Sequence, residues 1–514
     1  MILDDTFMAK KVFKTHQFGQ IMLLPPSLDE MIDQNHPVRV VSKIIDQIDI
    51  TPLERKYKGG GTSSYHPRVL LKILVYAYLD NVYSSRRIEA CLKENIHYMW
   101  VSGMSTPDHN TINRFRGDRL QEVLKQVFSQ VVLLLVDHGL VNMKEVYLDG
   151  TKIEANASRY SFVWGKSIKT SKKRIENQLE ELWKYACGIA RDEMKDTEPL
   201  HFEQIAPEAV KQAIEKIDQA LKDKEVDKKV KQKVNYAKKN WPENLKRYED
   251  QEKILGKRNN YSKTDPDASF MRMKEDHMRN GQLKPGYNLQ ISTHDQFILH
   301  YSLHQNPTDT LTLCPHMEGY KNQYDSMPDV VVADAGYGSE ENYEYLENQQ
   351  IEGFVKFNYF HLEQQDKFRE DPSKQENLYY NAVQDCFYCP MGQKMVNIGT
   401  ETKRTDNGYE RLYTKYQAKN CQGCPMRGVC NDQKSNRVIS VNHKLRKYKE
   451  QARQRLLSEL GITHRKKRPA DVEVVFAAIK HNNNFRRFNL RGLPKVEVET
   501  GLLAIAHNLA KMVN

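Results

Sequence analysis

Asp149, Asp334 and Glu473 are the residues whose types and spacing could do chemistry. The first two each close an apolar run of strand character, in KEVYLDG and DVVVADAG, and each is followed by a small residue, Gly150 or Ala335 with Gly336. Open α/β sheets present their reactive groups at such carboxyl ends. Singly, either aspartate reads as a turn or cap residue; two of them on neighbouring strands make a carboxylate pair. Glu473 lies in PADVEVVFAAIKHNNNF, bordering the apolar face that Val472, Val475, Phe476 and Ile479 give to an expected helix. Lys480 follows seven residues later, two turns or about 10 Å along an ideal helix. Both side chains would then point the same way, one able to hold a metal ion and the other a phosphate. Glu497 and Glu499 are weaker alternatives for a third acid, because KVEVETG lacks a lysine at that spacing.

Cysteine is the second chemical signature. Five of the eight cysteines fall between Cys386 and Cys430, and Cys386-Phe-Tyr-Cys389 with Cys421-Gln-Gly-Cys424 form two CxxC pairs of the kind that hold tetrahedral Zn²⁺. The gap between the pairs is longer than usual and Cys430 could replace one ligand; reduced free thiols are the alternative. Cys91, Cys187 and Cys314 are isolated and read as buried residues. Positive charge gathers from Lys444 to Arg491 and brackets Glu473, so Arg468, Arg486, Arg487, Arg491 and Lys480 are expected DNA contacts. The formal net charge of +11 points the same way, towards polyanionic partners.

The elements that must position these groups follow from periodicity. A chain of 514 residues, 39% hydrophobic and 28% charged, predicts several structural units with real cores. Its longest apolar run, Val131 to Val136, is far short of the roughly 20 residues of a membrane helix, and Asp4 and Asp5 stand where a signal peptide needs basic residues, so cytoplasmic residence is expected. Residues 1–140 read as helical. One helix starts near Pro67, after Gly59, Gly60 and Gly61; a second is capped by Ser84 or Ser85; a third opens at Thr106 and Pro107. Asn110, Asn113 and Arg114 on the third would face DNA in a helix-turn-helix-like region, with a small bundle and a solvated basic face as the alternative. Residues 141–165 and 262–358 supply one mixed α/β core in the order β, insertion, β, β, α, β, α, β. Residues 166–261 read as a charged helical insertion, 359–443 as a cysteine-rich, zinc-ribbon-like insertion, and 444–514 as a basic helical return to the core.

YLDGTKIEANAS around Asp149, VVADAGYGSEENY around Asp334, and VEVVFAAIK followed by FRRFNLRGL and AIAHNLAKM resemble the DDE transposases of bacterial insertion sequences. The resemblance is to the group with a Tyr, Arg, Glu, Lys signature on the last catalytic helix, and it covers nearly the whole chain outside the charged insertion. The interval from Glu473 to Lys480 matches that signature. Its arginine should lie four residues before Glu473, where Pro469 stands, and its tyrosine position holds Lys466; Arg468 and Arg465 are the candidates for the arginine's place. The resemblance implies a ribonuclease H-like core in which Asp149, Asp334 and Glu473 hold two Mg²⁺ or Mn²⁺ ions, which activate a water or 3′-hydroxyl and stabilise the leaving oxygen. It also implies double-stranded DNA as partner, both as the terminal inverted repeats of a mobile element and as a target. A nucleoid-associated location and a homodimer pairing two DNA ends follow from it. A ribonuclease H-like nuclease without strand transfer, and a catalytically inactive descendant that keeps its basic surface and zinc, are the other two readings.

Overall fold

In the computed structural model, residues 27–57, 64–190, 206–273, 281–405 and 407–513 are described. Asp4, Asp5 and Gly59, Gly60 and Gly61 lie outside them. The strand carrying Asp149 organises the core. β1 (Glu145–Glu154) is paired along both edges, parallel to β7 (Val330–Ala333) and antiparallel to β5 (Leu283–His294). β7 is parallel to β8 (Glu352–Val355), while β4 (Ser269–Arg272) and β6 (Phe297–His304) both pair antiparallel with β5, closing a six-stranded mixed sheet. Strands buried on both faces read as apolar runs rather than alternation, and Val146, Tyr147 and Leu148 of β1 and Val331 and Val332 of β7 are accordingly buried. The hairpin between β5 and β6 turns through Asp295 and Gln296, both at positive φ (47° and 67°), as a two-residue turn matched to strand twist requires.

Seven helices precede β1 among the described residues: α1 (Pro37–Gln47), α2 (Thr51–Glu54), α3 (Pro67–Leu79), α4 (Ser85–Glu94), α5 (Ile96–Val101), α6 (His109–Arg114) and α7 (Leu124–Asp137). α3 starts at Pro67 as expected, whereas α6 starts at His109 rather than Pro107. The cap is Asp108, whose Oδ1 accepts the Thr111 N–H at 2.9 Å. A π turn (Phe115–Arg119) and Glu122 at φ 67° then separate α6 from α7, so the third expected helix is two. α17 (Leu493–Val513), buried through Leu502, Leu503, Ile505 and Leu509, packs on α1, α3, α7 and β6 and so ties these helices to the sheet. No helix among the described residues is long and apolar enough to cross a membrane.

Two further units interrupt this core. Between β2 (Phe162–Trp164) and β3 (Asn260–Ser262), which pair with each other, α8 (Gly165–Ile189), α9 (Pro207–Leu221) and α10 (Lys228–Leu255) pack around their own core of Leu179, Trp183, Ile214, Ile217 and Trp241. α11 (Leu313–Tyr324) joins β6 to β7, α12 (Glu340–Asn348) joins β7 to β8, and the short α13 (Asp366–Arg369) leads onward.

Where a zinc-ribbon-like unit was expected, β9 (Tyr380–Asn381), β10 (Cys386–Tyr388), β11 (Lys394–Arg404), β12 (Glu410–Ala418) and β13 (Val438–Val441) form an antiparallel sheet around Phe387, Met395, Tyr416, Ile439 and Val441. Phe387 enters that core, so strand alternation turns the neighbouring Cys386 thiol to the opposite face, while Cys389 and Cys421 pack against the core. The expected quartet of Cys386, Cys389, Cys421 and Cys424 is thereby split. All eight cysteines are free thiols, and among the described residues no three His, Cys, Asp or Glu side chains stand in a metal-holding arrangement.

β6 and α11 enclose a set of histidines that makes the core acid-sensitive. The Ser292 hydroxyl is 2.8 Å from His316 Nε2 and the Ser302 hydroxyl lies 2.7 Å from both His316 Nδ1 and His304 Nε2. Burial, with the Lys125 ammonium adding to it, holds His300 down to about 3 and His304 to about 4, although Asp309 opposes the shift at His304; His316 is likewise held well below the ordinary histidine range. Each folded-state value lies below the unfolded one near 6.5, so the unfolded chain takes up these protons first. The stabilisation is complete above about pH 6.5 and is lost as pH falls towards 4, at about 1.4 kcal/mol per histidine per pH unit. We expect the urea midpoint to fall between pH 7 and pH 5; a midpoint flat across that interval contradicts this account.

Candidate active site

β1 and β7 are parallel with Leu148 opposite Ala333, so the next residue on each, Asp149 and Asp334, emerge beside one another. Contrary to expectation, Asp149 does not end its strand: β1 runs on to Glu154, and Asp149 is paired with Ile291 of β5. Only β7 stops there. Past Asp334 the chain leaves in a 3₁₀ turn (Ala335–Tyr337), in which the Gly336 N–H donates to Asp334 Oδ1 at 2.8 Å.

One guanidinium joins the three acids. Arg468 Nη2 lies 3.0 Å from Asp149 Oδ2 and 4.0 Å from Asp334 Oδ2, and Nη1 lies 3.1 Å from Glu473 Oε1. Asp149 and Arg468 are buried, whereas the Asp334 and Glu473 side chains are 42% and 54% exposed, so the cluster opens to solvent on one side. Arg468 Nε is buried and has no partner among the described residues, leaving a donor inside the cluster for an anionic oxygen.

Glu473 reaches this place by a route that a 3.6-residue period does not give. α14 (His443–Leu457) leads into α15 (Glu459–Arg468); then come a π turn (Pro469–Glu473), α16 (Val474–Ala477) and a second π turn (Ala478–Asn482). Pro469 has no N–H to give to the preceding turn, and a π turn absorbs the break by holding one more residue. In this wider turn the residue five before Glu473, not four, comes round to its side. Arg468 thus meets Glu473, while Arg465 lies over the Phe360 ring at 5.3 Å. Lys480 falls in the second π turn and is buried while Glu473 is exposed, so the seven-residue interval between them is not one of regular α-helical turns.

The structure adds groups that sequence reasoning passed over. Lys356 follows Val355, which pairs with Ala333, and so stands next to Asp334; burial first, then Arg468, pushes its ammonium below the ordinary lysine range. Asn288 and Gln290 of β5 are buried amides facing β1, and Gln290 accepts a hydrogen bond from the Tyr337 hydroxyl. Gly150 is a strand residue here, not a turn. A β-carbon on it would stand 2.8 Å from Gln290 Cδ and 2.9 Å from Asp309 Oδ1. Gly150→Ala should therefore displace two groups beside Asp149. Catalysis, read as DNA cleavage at saturating DNA, should fall by about tenfold or more, and an alanine variant that cuts at the wild-type rate would remove Gly150 from this role.

The alternative third acids are engaged elsewhere. Glu499 is fully buried and accepts from the Tyr78 hydroxyl at 3.0 Å and from the Asn489 and Leu490 N–H groups at 2.8 Å; Glu497 pairs with Lys125. Three of the expected phosphate contacts bind backbone as well. Arg486 Nε donates to the Lys480 carbonyl at 3.2 Å, Arg487 Nε to that of Ala155 at 3.2 Å and Arg491 Nε to that of Asn156 at 2.7 Å. Arg487 and Arg491 tie the segment after Lys480 to the residues that follow β1, while the Arg486 side chain bonds within the segment. Asn110, Asn113 and Arg114 are exposed on α6 and line a polar cavity of about 490 Å³ together with Lys495 from the C-terminal segment.

Comparison with known families bears on this arrangement. Residues 388–513 match a family described as a transposase DDE domain, and residues 26–118 match one described as a transposase domain. Two separate stretches of the chain thus match transposase families. The first stretch contains Arg468, Glu473 and Lys480 and lies wholly after Asp149 and Asp334. The matches support a transposase function and imply an enzyme acting on DNA. No curated protein and no solved structure matches the chain.

Proposed function

We propose that this protein is a DNA transposase that cuts at the ends of a mobile element and joins the freed 3′ ends to a target, using Asp149, Asp334 and Glu473. The observation that carries the reading is the convergence of these three acids, separated by hundreds of residues, on the single guanidinium of Arg468. Arg468 standing on Glu473 across the π turn supports placing the chain in the group with the Tyr, Arg, Glu, Lys signature, with the arginine moved by one residue.

Asp149, Asp334 and Glu473 are drawn onto Arg468 rather than arranged around a cation, so it is the chemistry of the donors that fits divalent magnesium or manganese. All three side chains offer hard oxygens, one positively charged nitrogen already spans Asp149 and Asp334, and Mg²⁺ is satisfied by one or two carboxylates with water and substrate phosphate. When bound, such ions supply an activated water or 3′-hydroxyl and a stabilised leaving oxygen. The chain's own residues do the rest. Asp149 and Asp334 are held side by side by β-pairing, Glu473 closes the open side, and Arg468 Nε keeps a free donor for a phosphate oxygen. Lys356 adds positive charge next to Asp334, where the phosphodiester would lie. The basic segment from Lys444 to Arg491 and the exposed α6 residues are the surfaces proposed to carry duplex DNA, with two copies of the chain pairing two ends. The cysteine quartet is not gathered into a site, and no step passes through zinc.

The test is a two-DNA assay with purified protein, Mg²⁺, a duplex bearing the terminal sequence that flanks the gene, and a plasmid target. Joined products support the reading. Cleavage without joining would move the protein to the nuclease class, and DNA binding without either would make it an inactive descendant.

A further inference from the structure

A fourth carboxylate stands in the same cluster. Asp309 opens a short 3₁₀ turn (Asp309–Leu311) between β6 and α11. The cap of that turn is Thr308, and the Asp309 side chain is engaged by β5. Its Oδ1 accepts from Asn288 Nδ2 at 2.8 Å and from Gln290 Nε2 at 2.9 Å, both on β5. Those amides are 1% and 0% exposed, and burying them is costly unless they are hydrogen-bonded. Their hydrogen bonds anchor Asp309. Gln290 also accepts from the hydroxyl of Tyr337, in the turn that follows Asp334, so one chain of contacts links Asp309 to the segment carrying the second acid.

The direction of the carboxylate follows from the glycines. A β-carbon on Gly150 would lie 2.9 Å from Asp309 Oδ1, so the anchored oxygen faces β1 next to Asp149. A β-carbon on Gly336 would lie 3.0 Å from Asp334 Oδ1 and 3.6 Å from Asp309 Oδ2, so both carboxylates border the space over Gly336. Both glycines clear the space between the acids. Arg468 Nε, buried and without a partner among the described residues, is an independent sign that the cluster receives a ligand oxygen. The Tyr337 phenol is held well above its ordinary range by burial first and then by Asp309, Asp149 and Asp334, as expected for a ring of carboxylates around it.

We infer that Asp309 is a fourth acid of the site, presenting Oδ2 beside Asp334 to the divalent cation or to a water that the cation holds. This rests on the transposase reading of Asp149, Asp334 and Glu473.

The experiment compares wild type, Asp309→Asn and Asp149→Asn as full-length proteins. Mn²⁺ affinity is followed by electron paramagnetic resonance without DNA, and cleavage of end-bearing DNA is followed in Mg²⁺. Asp309→Asn keeps the shape and an oxygen for the β5 amides, and should weaken Mn²⁺ binding by about tenfold to a hundredfold, the range seen when groups supporting a metal's ligands are removed. Its urea midpoint without metal should match wild type, and Asp309→Glu should recover part of the affinity. If Asp309→Asn binds Mn²⁺ and cuts like wild type while Asp149→Asn does neither, the inference falls and the transposase reading stands. If Asp149→Asn is also unimpaired, the reading itself falls. A metal-free midpoint that drops in Asp309→Asn with Mn²⁺ affinity unchanged assigns Asp309 to structure alone and overturns the inference.

Discussion

Asparagine at Asp149 or Asp334 is expected to abolish Mg²⁺-dependent strand cleavage, by about a thousandfold or more at Asp149, and to leave DNA binding intact. The size follows from what a bound divalent ion contributes to a phosphoryl-transfer transition state, several kcal/mol, at one decade of rate per 1.36 kcal/mol. The substitution keeps the side-chain volume and removes the charge. At position 149 the change is made inside a buried cluster, where no solvent ion can compensate; at position 334, which is 42% exposed, a smaller loss is expected. The measurements are cleavage rate under single-turnover conditions and DNA affinity in the absence of divalent metal. Equal cleavage by wild type and both variants would remove the acids from the mechanism.

Arg468→Ala is expected to cost the fold about 3 to 5 kcal/mol, the usual consequence of taking away one partner of a buried ion pair and leaving the other charged. The stranded group is Asp149, whose side chain is 8% exposed. Asp334 and Glu473 are more open and add little. The loss should shrink when Mg²⁺ or Mn²⁺ is added, because an ion bound to the native state restores positive charge and stabilises that state by mass action. Lysine should not rescue the metal-free protein, since a single ammonium cannot place two nitrogens 3.0 Å from Asp149 and 3.1 Å from Glu473 as the guanidinium fork does. Urea midpoints of wild type, Arg468→Ala and Arg468→Lys, with and without metal, decide it. An alanine variant as stable as wild type without metal would show that the three acids do not depend on Arg468.

The placement of Asp149 beside Asp334 was legible because their strands are. An apolar run ending in an acid and a small residue is a local pattern, and parallel pairing of β1 with β7 then brings two such patterns together. Asp309 was not legible, since QNPTDTL has no period to read. A signal did exist on β5, where Asn288, Gln290 and Ser292 alternate with Tyr287, Leu289 and Ile291, a polar stripe inside a buried strand. Such a stripe needs partners, and Asp309, Tyr337 and His316 are those partners. The last helix was misread for a different reason. Helical arithmetic assumes one period throughout, while Pro469 forces a wider turn, so Arg468 displaced the residue that regular counting selects. The cysteines misled because spacing along the chain says nothing about which face of a strand a thiol takes, and Phe387 decides that for Cys386.

The keystone position of α17, wedged among α1, α3, α7 and β6, has a bearing on how the protein is made. A nascent chain on the ribosome exposes β1 and its aspartate long before Arg468, Glu473 and α17 have been synthesised. Until they dock, Asp149 lacks its guanidinium and the helices before β1 lack their tie to the sheet. A product that stops before Arg468 would carry Asp149 and Asp334 without the guanidinium, Glu473 or α17, and on the function proposed above it would not cut DNA.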